Sequence, residues 1–327
     1  MDLVNHLHDR LLFAVPKKGR LQQATLDLLA GSDIKFHRHN RLDLALVMNL
    51  PLALVFLPAA DIPEFVAEGR VDLGITGRDT VAEYQASNNA NNNTSDTTIG
   101  IDEIMDLEFG RCKLQVQVPK GSIRDPKELV GKRIATSFTG LAEAYFRQLE
   151  AEVEESLPNV LTNGASSGEL PKKKLLTNIR PLSGSVEAAC ALGLADGIVD
   201  LVESGETMRA AGLEAIATVV ESTAVLVRSK QPSNPKLVSI IAARIRGVIT
   251  AQKYVLCTYN VERALLPEAA KITPGKRAPT VTNLEDPQWV AVSSMVERGR
   301  IANVMDELIA MGATDILVTK LENTRTT

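Results

Sequence analysis

One local pattern recurs along the chain. A short apolar run stops at a turn rich in glycine, hydroxyls or cations, and a helix-forming segment follows at once. The turns are Pro16-Lys17-Lys18-Gly19-Arg20, Asp72-Leu73-Gly74-Ile75-Thr76-Gly77-Arg78-Asp79, Ala135-Thr136-Ser137-Phe138-Thr139-Gly140, Ser183-Gly184-Ser185-Val186-Glu187 and Asp200-Leu201-Val202-Glu203-Ser204-Gly205-Glu206-Thr207-Met208. Apolar runs bounded this way are buried-strand candidates, and strands alternating with helices make an α/β fold. In open α/β sheets ligands sit beyond the carboxyl ends of the strands. Backbone N–H groups at a helix start, a glycine that permits close approach and nearby hydroxyls suit a phosphate. Each turn also reads as a strand-to-helix connection with an N-capping Ser or Thr. The local strings leave both readings open.

Length and charge narrow the class. The chain has 327 residues, enough for two or three domains. Net charge is −4, which argues against wholesale binding to nucleic acid while allowing a local basic pocket. Aromatics are 4% of residues, so the core must be mostly aliphatic. Cys112, Cys190 and Cys257 are widely spaced, with no CxxC or Cys/His cluster, so neither a disulfide framework nor a structural zinc site is expected. The start, Met1 to Arg10, has no apolar signal segment, and the apolar stretch Leu44 to Ala60 is interrupted by Asn49, Pro51 and Pro58. A cytosolic protein without a membrane span is expected. His6, His8, His37 and His39 form two i,i+2 pairs without a supporting third ligand, and read as surface histidines.

Strands are expected at Leu11–Val15, Gly110–Pro119, Lys132–Phe138, Gly197–Val202 and Thr223–Arg228, and helices at Leu21–Leu29, Asp61–Gly69 with Asp61 as cap, Leu141–Val153 and Val186–Leu192. Asn88–Thr98 is polar and low in complexity, and Glu154–Thr177 reads as a loop or weak hairpin. Gln231-Pro232-Ser233-Asn234-Pro235 is a linker into a long helix, Lys236–Tyr254. The tail, a strand Trp289–Val296, a helix Ile301–Met311 and a strand Asp315–Thr319, has ferredoxin-like character.

The motifs PKKGR, DLGITGRD, ATSFTG, SGSVEAA and DLVESGETM, in that order, resemble those of the ATP phosphoribosyltransferases, most of all the long fungal form. The most specific piece is GLADGIVDLVESGETMRAAGL, Gly193 to Leu213. The resemblance implies a two-lobed, periplasmic-binding-protein-like catalytic unit and a C-terminal ferredoxin-like α+β regulatory domain. It places lobe I at about 1–105 and 209–229, lobe II at 106–208, and the regulatory domain at 230–327. The implied reaction joins the phosphoribosyl group of phosphoribosyl pyrophosphate to N1 of the adenine of ATP, with release of pyrophosphate. Mg²⁺ bridging substrate phosphates is the implied cofactor.

Residue roles follow from the same resemblance. Glu203, Ser204, Gly205, Glu206, Thr207 and Met208 match the phosphoribosyl pyrophosphate loop, with Asp200 before it facing ribose hydroxyls. Lys18 and Arg20 are expected at pyrophosphate or ATP phosphates, with Lys17 less well placed. Glu187 and Asp196 are expected at ribose hydroxyls or at water on Mg²⁺, and Asp196 reads equally as structural. Thr76, Gly77 and Asp79 would close on the nucleotide, and Thr136 and Ser137 would offer hydroxyls from the facing lobe. Asp200, Glu187 and Arg20 are the expected catalytic residues. Regulation by L-histidine is implied for the third domain, with Gly312, Ala313, Thr314 and the Leu284–Pro287 loop as candidates, in a homo-oligomer of hexameric form. The alternative from another class is a two-lobed sensor that binds an anionic small molecule without chemistry. The acidic residue before the phosphate loop and the effector-like third domain favour the transferase.

Overall fold

The computed structural model describes residues 7, 9–38, 42–90, 100–156 and 174–325. The expected Asn88–Thr98 and Glu154–Thr177 loops lie largely outside the described residues, as do His6, His8 and His39.

The first half of the chain runs β1 (Leu11–Pro16), α1 (Gln22–Gly31), β2 (Leu44–Leu46), β3 (Leu52–Leu57), α2 (Ile62–Ala67), β4 (Leu73–Gly77), α3 (Arg78–Ala90), β5 (Ile101–Asp106), β6 (Cys112–Pro119), β7 (Arg133–Thr136) and α4 (Thr139–Ser156). It continues with β8 (Asn178–Pro181), α5 (Ala188–Ala191), β9 (Gly197–Val202), α6 (Glu206–Ala210), β10 (Leu213–Ser222), β11 (Ala224–Ser229) and α7 (Pro235–Lys253). The last elements are β12 (Tyr254–Glu262), α8 (Leu266–Ile272), β13 (Thr280–Asn283), β14 (Trp289–Glu297), α9 (Ile301–Ala310) and β15 (Thr314–Lys320).

Three sheets result, with strand orders β2-β3-β1-β4-β11-β5, β10-β6-β9-β7-β8 and β13-β14-β12-β15. In the first, β4 is buried along its whole length, because α2 lies directly on it. A Cβ on Gly74 would stand 2.6 Å from Ile62 and 2.9 Å from Val66, so a side chain there would lift the helix off the strand. Asp61 precedes α2 but makes no side-chain cap, and Pro63 supplies the start instead. In the second sheet, Ala142, Phe146 and Leu149 of α4 pack on Leu114, Val116, Ile134 and Val199. Burying each large apolar side chain there contributes roughly 1.5–3 kcal/mol. The third is a βαββαβ unit whose order is the ferredoxin-like one.

The first two sheets are the two lobes. The chain passes between them after β5, through Leu107 to Arg111, and again between β10 and β11. The two crossing segments bond to each other: Leu107 N–H donates to Ala224 O and Ala224 N–H to Phe109 O, both at 2.9 Å. The second crossing lies at Ser222–Ala224 rather than near 208, because β10 pairs antiparallel with β6 from Leu213↔Pro119 to Ser222↔Cys112 and so belongs to the lobe II sheet.

Contacts divide the chain into two compact units: Met1–Ala24, Asn40–Leu44 and Ala53–Ser233, and Thr25–His39, Ala45–Leu52 and Asn234–Thr327. The second unit holds more than the ferredoxin-like module. Gly31, the last residue of α1, leaves room for Val248 of α7, and Arg244 donates to Ser32 O and Asp33 O at 3.4 and 3.3 Å. Asn49 donates to Asp33 O at 2.7 Å and accepts from Lys35 N–H at 3.1 Å, which ties the 45–52 stretch to the same place. Among the described residues no helix is long and apolar enough to cross a membrane.

Candidate functional site

Three of the strand-to-helix turns meet at the crossing between the lobes. Arg20, from the turn after β1, sends Nη1 to Gly110 O, Nη2 to Asp79 Oδ1 at 3.3 Å and Nε towards Glu203 at 3.6 Å. One guanidinium therefore links the first, second and fifth turns. Asp79 is 1% exposed. Its N–H donates to Ser222 Oγ at 2.9 Å, and that hydroxyl donates back to Asp79 Oδ1 at 2.5 Å. Its Oδ2 is buried without a partner among the described residues. Gly77 is required by this arrangement, since a Cβ there would collide with Asp79 Oδ1.

A second cluster binds the crossing segments to α3. Arg78 donates to Glu103 (2.6 and 3.1 Å), to Asp106 (3.2 Å) and to Thr223 Oγ1 (3.1 Å), and Thr223 donates to Asp106 at 2.8 Å. Hydrogen bonding to Glu103 holds the Arg78 guanidinium more firmly charged than usual. Burial pushes the Asp106 carboxyl up, but the Glu108 N–H, the Thr223 hydroxyl and Arg78 outweigh it, so it ionises more readily than usual. Between these clusters lies a cavity of about 450 Å³, lined by Arg78, Arg111 and Lys113 as cations and by Asp106, Glu108, Glu203 and Glu221 as carboxylates. Cys112, at its wall, has its thiol pushed up to about 11 by burial and by the charge of Asp79.

The loop after β9 is where the sequence motif puts the phosphate cradle. Gly205 adopts φ 74, ψ 9 at the start of α6, a left-handed conformation that glycine takes without strain. Ser204 Oγ accepts from Glu206 N–H at 3.3 Å, and Ser204 O accepts from Arg209 at 3.1 Å. Ser204, Glu206 and Thr207 are exposed, and Met208 packs under the loop beside Leu213 and Val186. Asp200 is half-buried in front of it, with Oδ1 accepting from Leu201 N–H at 2.9 Å. Burial raises its carboxyl above the ordinary range, and the charge of Glu187 adds to the rise. Glu187 is thus close enough to Asp200 to be felt electrostatically.

Other expected residues are placed differently. Thr136 is fully buried; its hydroxyl donates to Val199 O at 2.6 Å and accepts from Phe138 N–H at 2.9 Å, which ties two strands and offers nothing outward. Ser137 is exposed. Thr76 is buried, bonded to Ala59 O and Thr80, both at 2.7 Å. Asp196 takes the structural alternative. It accepts from Arg133 N–H, Nε and Nη2 at 3.0, 3.1 and 2.8 Å, and this Arg133 fork holds its carboxyl down at about 2. Lys17 pairs with Asp43 at 2.6 Å, whereas Lys18 stands exposed. Gly312 to Thr314 form the turn from α9 to β15, with Ala313 in the core and the Thr314 hydroxyl on Asp315 at 3.0 Å. In the Leu284–Pro287 loop, Pro287 O accepts from Arg263 at 3.1 Å. Among the described residues no group of three or more His, Cys, Asp or Glu is arranged to hold a metal.

Ser222, Gly110, Arg78 and Glu83 escape the sequence reading. Ser222 and Gly110 sit at the crossings, where no strand-turn-helix pattern marks them. Glu83 looks like one more polar residue on an exposed helix face. Arg78 lies within a quoted motif, but its partners are 25 to 145 residues away.

The fold defines a two-lobed α/β protein with an appended ferredoxin-like module. The family model described as ATP phosphoribosyltransferase matches residues 58–247, and that of the HisG C-terminal domain matches 251–323. The chain belongs to the ATP phosphoribosyltransferase family. Relatives of that name from Yarrowia lipolytica, Schizosaccharomyces pombe and Saccharomyces cerevisiae are 58%, 56% and 53% identical, each over 99% of this chain and the whole of the relative. The solved ATP phosphoribosyl transferase (HisG:HisZ) complex from Thermotoga maritima contains a chain of the same fold, with TM-score 0.55 and 22% identity, covering 74% of this chain and 98% of that one. Family membership supports the transferase reading over the sensor alternative.

Proposed function

We propose that this chain transfers the phosphoribosyl group of phosphoribosyl pyrophosphate to N1 of the adenine of ATP, the first and feedback-regulated step of L-histidine biosynthesis. The observation that carries the reading is the loop after β9. It combines a left-handed glycine, two exposed hydroxyls and a half-buried carboxylate on a strand end, within a full-length match to the family.

In this reading N1 attacks the anomeric carbon as its bond to pyrophosphate breaks. The protein's task is positioning and charge management. Ser204, Gly205 and Thr207 hold the 5-phosphate through N–H groups and hydroxyls, while Asp200 faces the ribose hydroxyls beside Glu187. Lys18 is exposed for a phosphate. Arg20 acts from the crossing, where Asp79 and Gly110 fix its orientation. Thr76, Gly77 and Thr136 serve as framework behind these groups. Mg²⁺ suits the donor set as a substrate-borne ion, since it keeps several waters and needs few protein ligands; Asp200 and Glu187 are the carboxylates that would face those waters. When bound it offsets the charge of departing pyrophosphate. We place the activity in the cytoplasm, in a homo-hexamer inhibited by L-histidine at the ferredoxin-like module.

Purified protein given ATP, phosphoribosyl pyrophosphate and Mg²⁺ should produce phosphoribosyl-ATP, followed by its ultraviolet absorbance. Absence of product from fresh, folded protein sinks the reading. Addition of L-histidine to that assay tests the inhibition.

A further inference from the structure

Helix α3 meets the crossing at its start and the other lobe further along its length. Its first residue, Arg78, grips Asp106 and Thr223, at the ends of the two crossing segments. Five residues on, about 7.5 Å along the axis at 1.5 Å per residue, Glu83 reaches the other lobe. Its Oε1 accepts from Gly140 N–H at 2.7 Å and from the Thr139 hydroxyl at 3.4 Å, and its Oε2 accepts from Leu141 N–H at 2.8 Å. These donors form the first turn of α4, whose N–H groups have no acceptor inside the helix and carry its positive end. Carboxylate bonds of this charge-assisted kind are stronger than neutral ones. One turn further, Ser87 lies flat against Gly140. A Cβ there would stand 2.6 Å from Ser87 Oγ and 2.8 Å from its backbone N.

The two contacts differ in place. The Arg78 grip holds residues of the crossing segments themselves, about which one lobe would turn against the other. The Glu83 contact joins the lobes away from the crossing, so a parting of the lobes about it would break that contact. It is made by a side chain of one lobe occupying the helix start of the other.

We propose that Glu83 is a positioning residue, a latch that holds lobe II closed on lobe I by capping α4 across the cleft. The inference rests on the transferase reading of that cleft for its consequence: the closed form is the one in which the phosphate loop and the opposite wall are held at working distance. Glu83 acts through α4. Weakening it shifts the lobes towards the open form and lowers the apparent affinity for both substrates together, since each binds the closed fraction.

Two variants of the full chain test this. Glu83→Gln keeps size and removes the charge. Gly140→Ala drives a methyl between the helices without touching an ionisable group. Hydrogen exchange of the amides at positions 140 and 141 is measured without substrates, and kcat and KM are measured for each substrate. In both variants the expected result is exchange faster by about tenfold, with both KM values raised by about fivefold or more and kcat unchanged or raised. A merely structural role would instead lower kcat through loss of active protein at unchanged KM. Wild-type exchange rates in Glu83→Gln, or wild-type KM values in either variant, overturn the latch. If wild-type protein makes no product, the transferase reading fails alone and the exchange rates still decide the latch.

Discussion

Arg20 Nη2 lies 3.3 Å from Asp79 Oδ1, and the carboxylate is 1% exposed. This pair joins the turn after β1 to the start of α3, while Asp79 Oδ2 has no donor among the described residues. Removing the cation strands a buried charge, which is the expensive way to break such a pair. Arg20→Met is expected to destabilise the fold by about 3 kcal/mol. Adding Asp79→Asn should restore more than half of that, because the stranded charge disappears with its partner. Urea unfolding of the single and double variants reads the coupling. Additive losses would show that the two side chains act independently.

The loop after β9, the proposed holder of the 5-phosphate, gives the opposite expectation, a large effect on binding and almost none on stability. Ser204 and Thr207 are exposed, so Ser204→Ala with Thr207→Ala should change folding stability by about 0.5 kcal/mol or less. Hydrogen bonds to a charged group are worth roughly 1.5–3 kcal/mol. The double variant should therefore bind phosphoribosyl pyrophosphate at least about tenfold more weakly, with ATP affected much less. Calorimetric titration with each substrate decides it. Equal losses would mean that the loop does not hold the phosphoribosyl donor.

Asp200 separates activity from stability through pH. Burial, with Glu187 nearby, raises its carboxyl in the folded protein above the unfolded value. For an acid raised on folding, the folded state favours the protonated form. The contribution to stability is then fully present below the unfolded value, near 3.8, and is lost as pH rises through the folded one. Asp200→Asn should leave Tm near wild type at pH 3.5 and raise it at pH 7, while lowering kcat/KM at pH 7 by about tenfold or more. A Tm below wild type at pH 7 would refute the burial argument. Asp196 has the reverse sign. Held at about 2 by Arg133, it stabilises above its unfolded value and loses that contribution as pH falls towards 2. Arg133→Leu should accordingly make unfolding begin at higher pH in an acid titration.

The difference between these two aspartates shows what the sequence carries and what it does not. Strand β9 and its loop are local: an apolar run, a glycine and a helix start fall within 15 residues, and the structure has them where the pattern puts them. Asp196, four residues before Asp200, reads as well in the string for a ribose contact as for a structural one. Its partner Arg133 is 63 residues away, and nothing local announces the fork. The same limit moved the lobe crossing. Leu213–Ser222 is a run of small and β-branched residues, and its partner strand begins about a hundred residues earlier, so composition alone cannot assign it to a sheet. Strand β12, outside those expectations, does carry a local signal: Val255, Cys257, Tyr259 and Val261 alternate as buried positions directly behind a long helix.

The division of the chain into compact units changes what a truncation can report. A cut before Asn234 removes the module expected to bind L-histidine, but it also removes the partners of the α1 end. Gly31 loses Val248 and the Asn323 side chain, which donates to its carbonyl at 3.0 Å. Ser32 and Asp33 lose the Arg244 donor to their carbonyls. With each hydrogen bond worth about 1 kcal/mol and a buried apolar contact added, the remaining chain should be several kcal/mol less stable around residues 25–39. We therefore expect a protein truncated at 233 to melt at a clearly lower temperature than the full chain, with protease cleavage appearing first between residues 25 and 39. Loss of histidine inhibition in such a fragment would then report damage as well as deletion. Arg244→Ala in the full chain is the control: it should reproduce part of the melting shift while leaving the ferredoxin-like sheet intact by hydrogen exchange. A truncated chain that melts with the full-length protein would show that α1 needs nothing from the C-terminal unit.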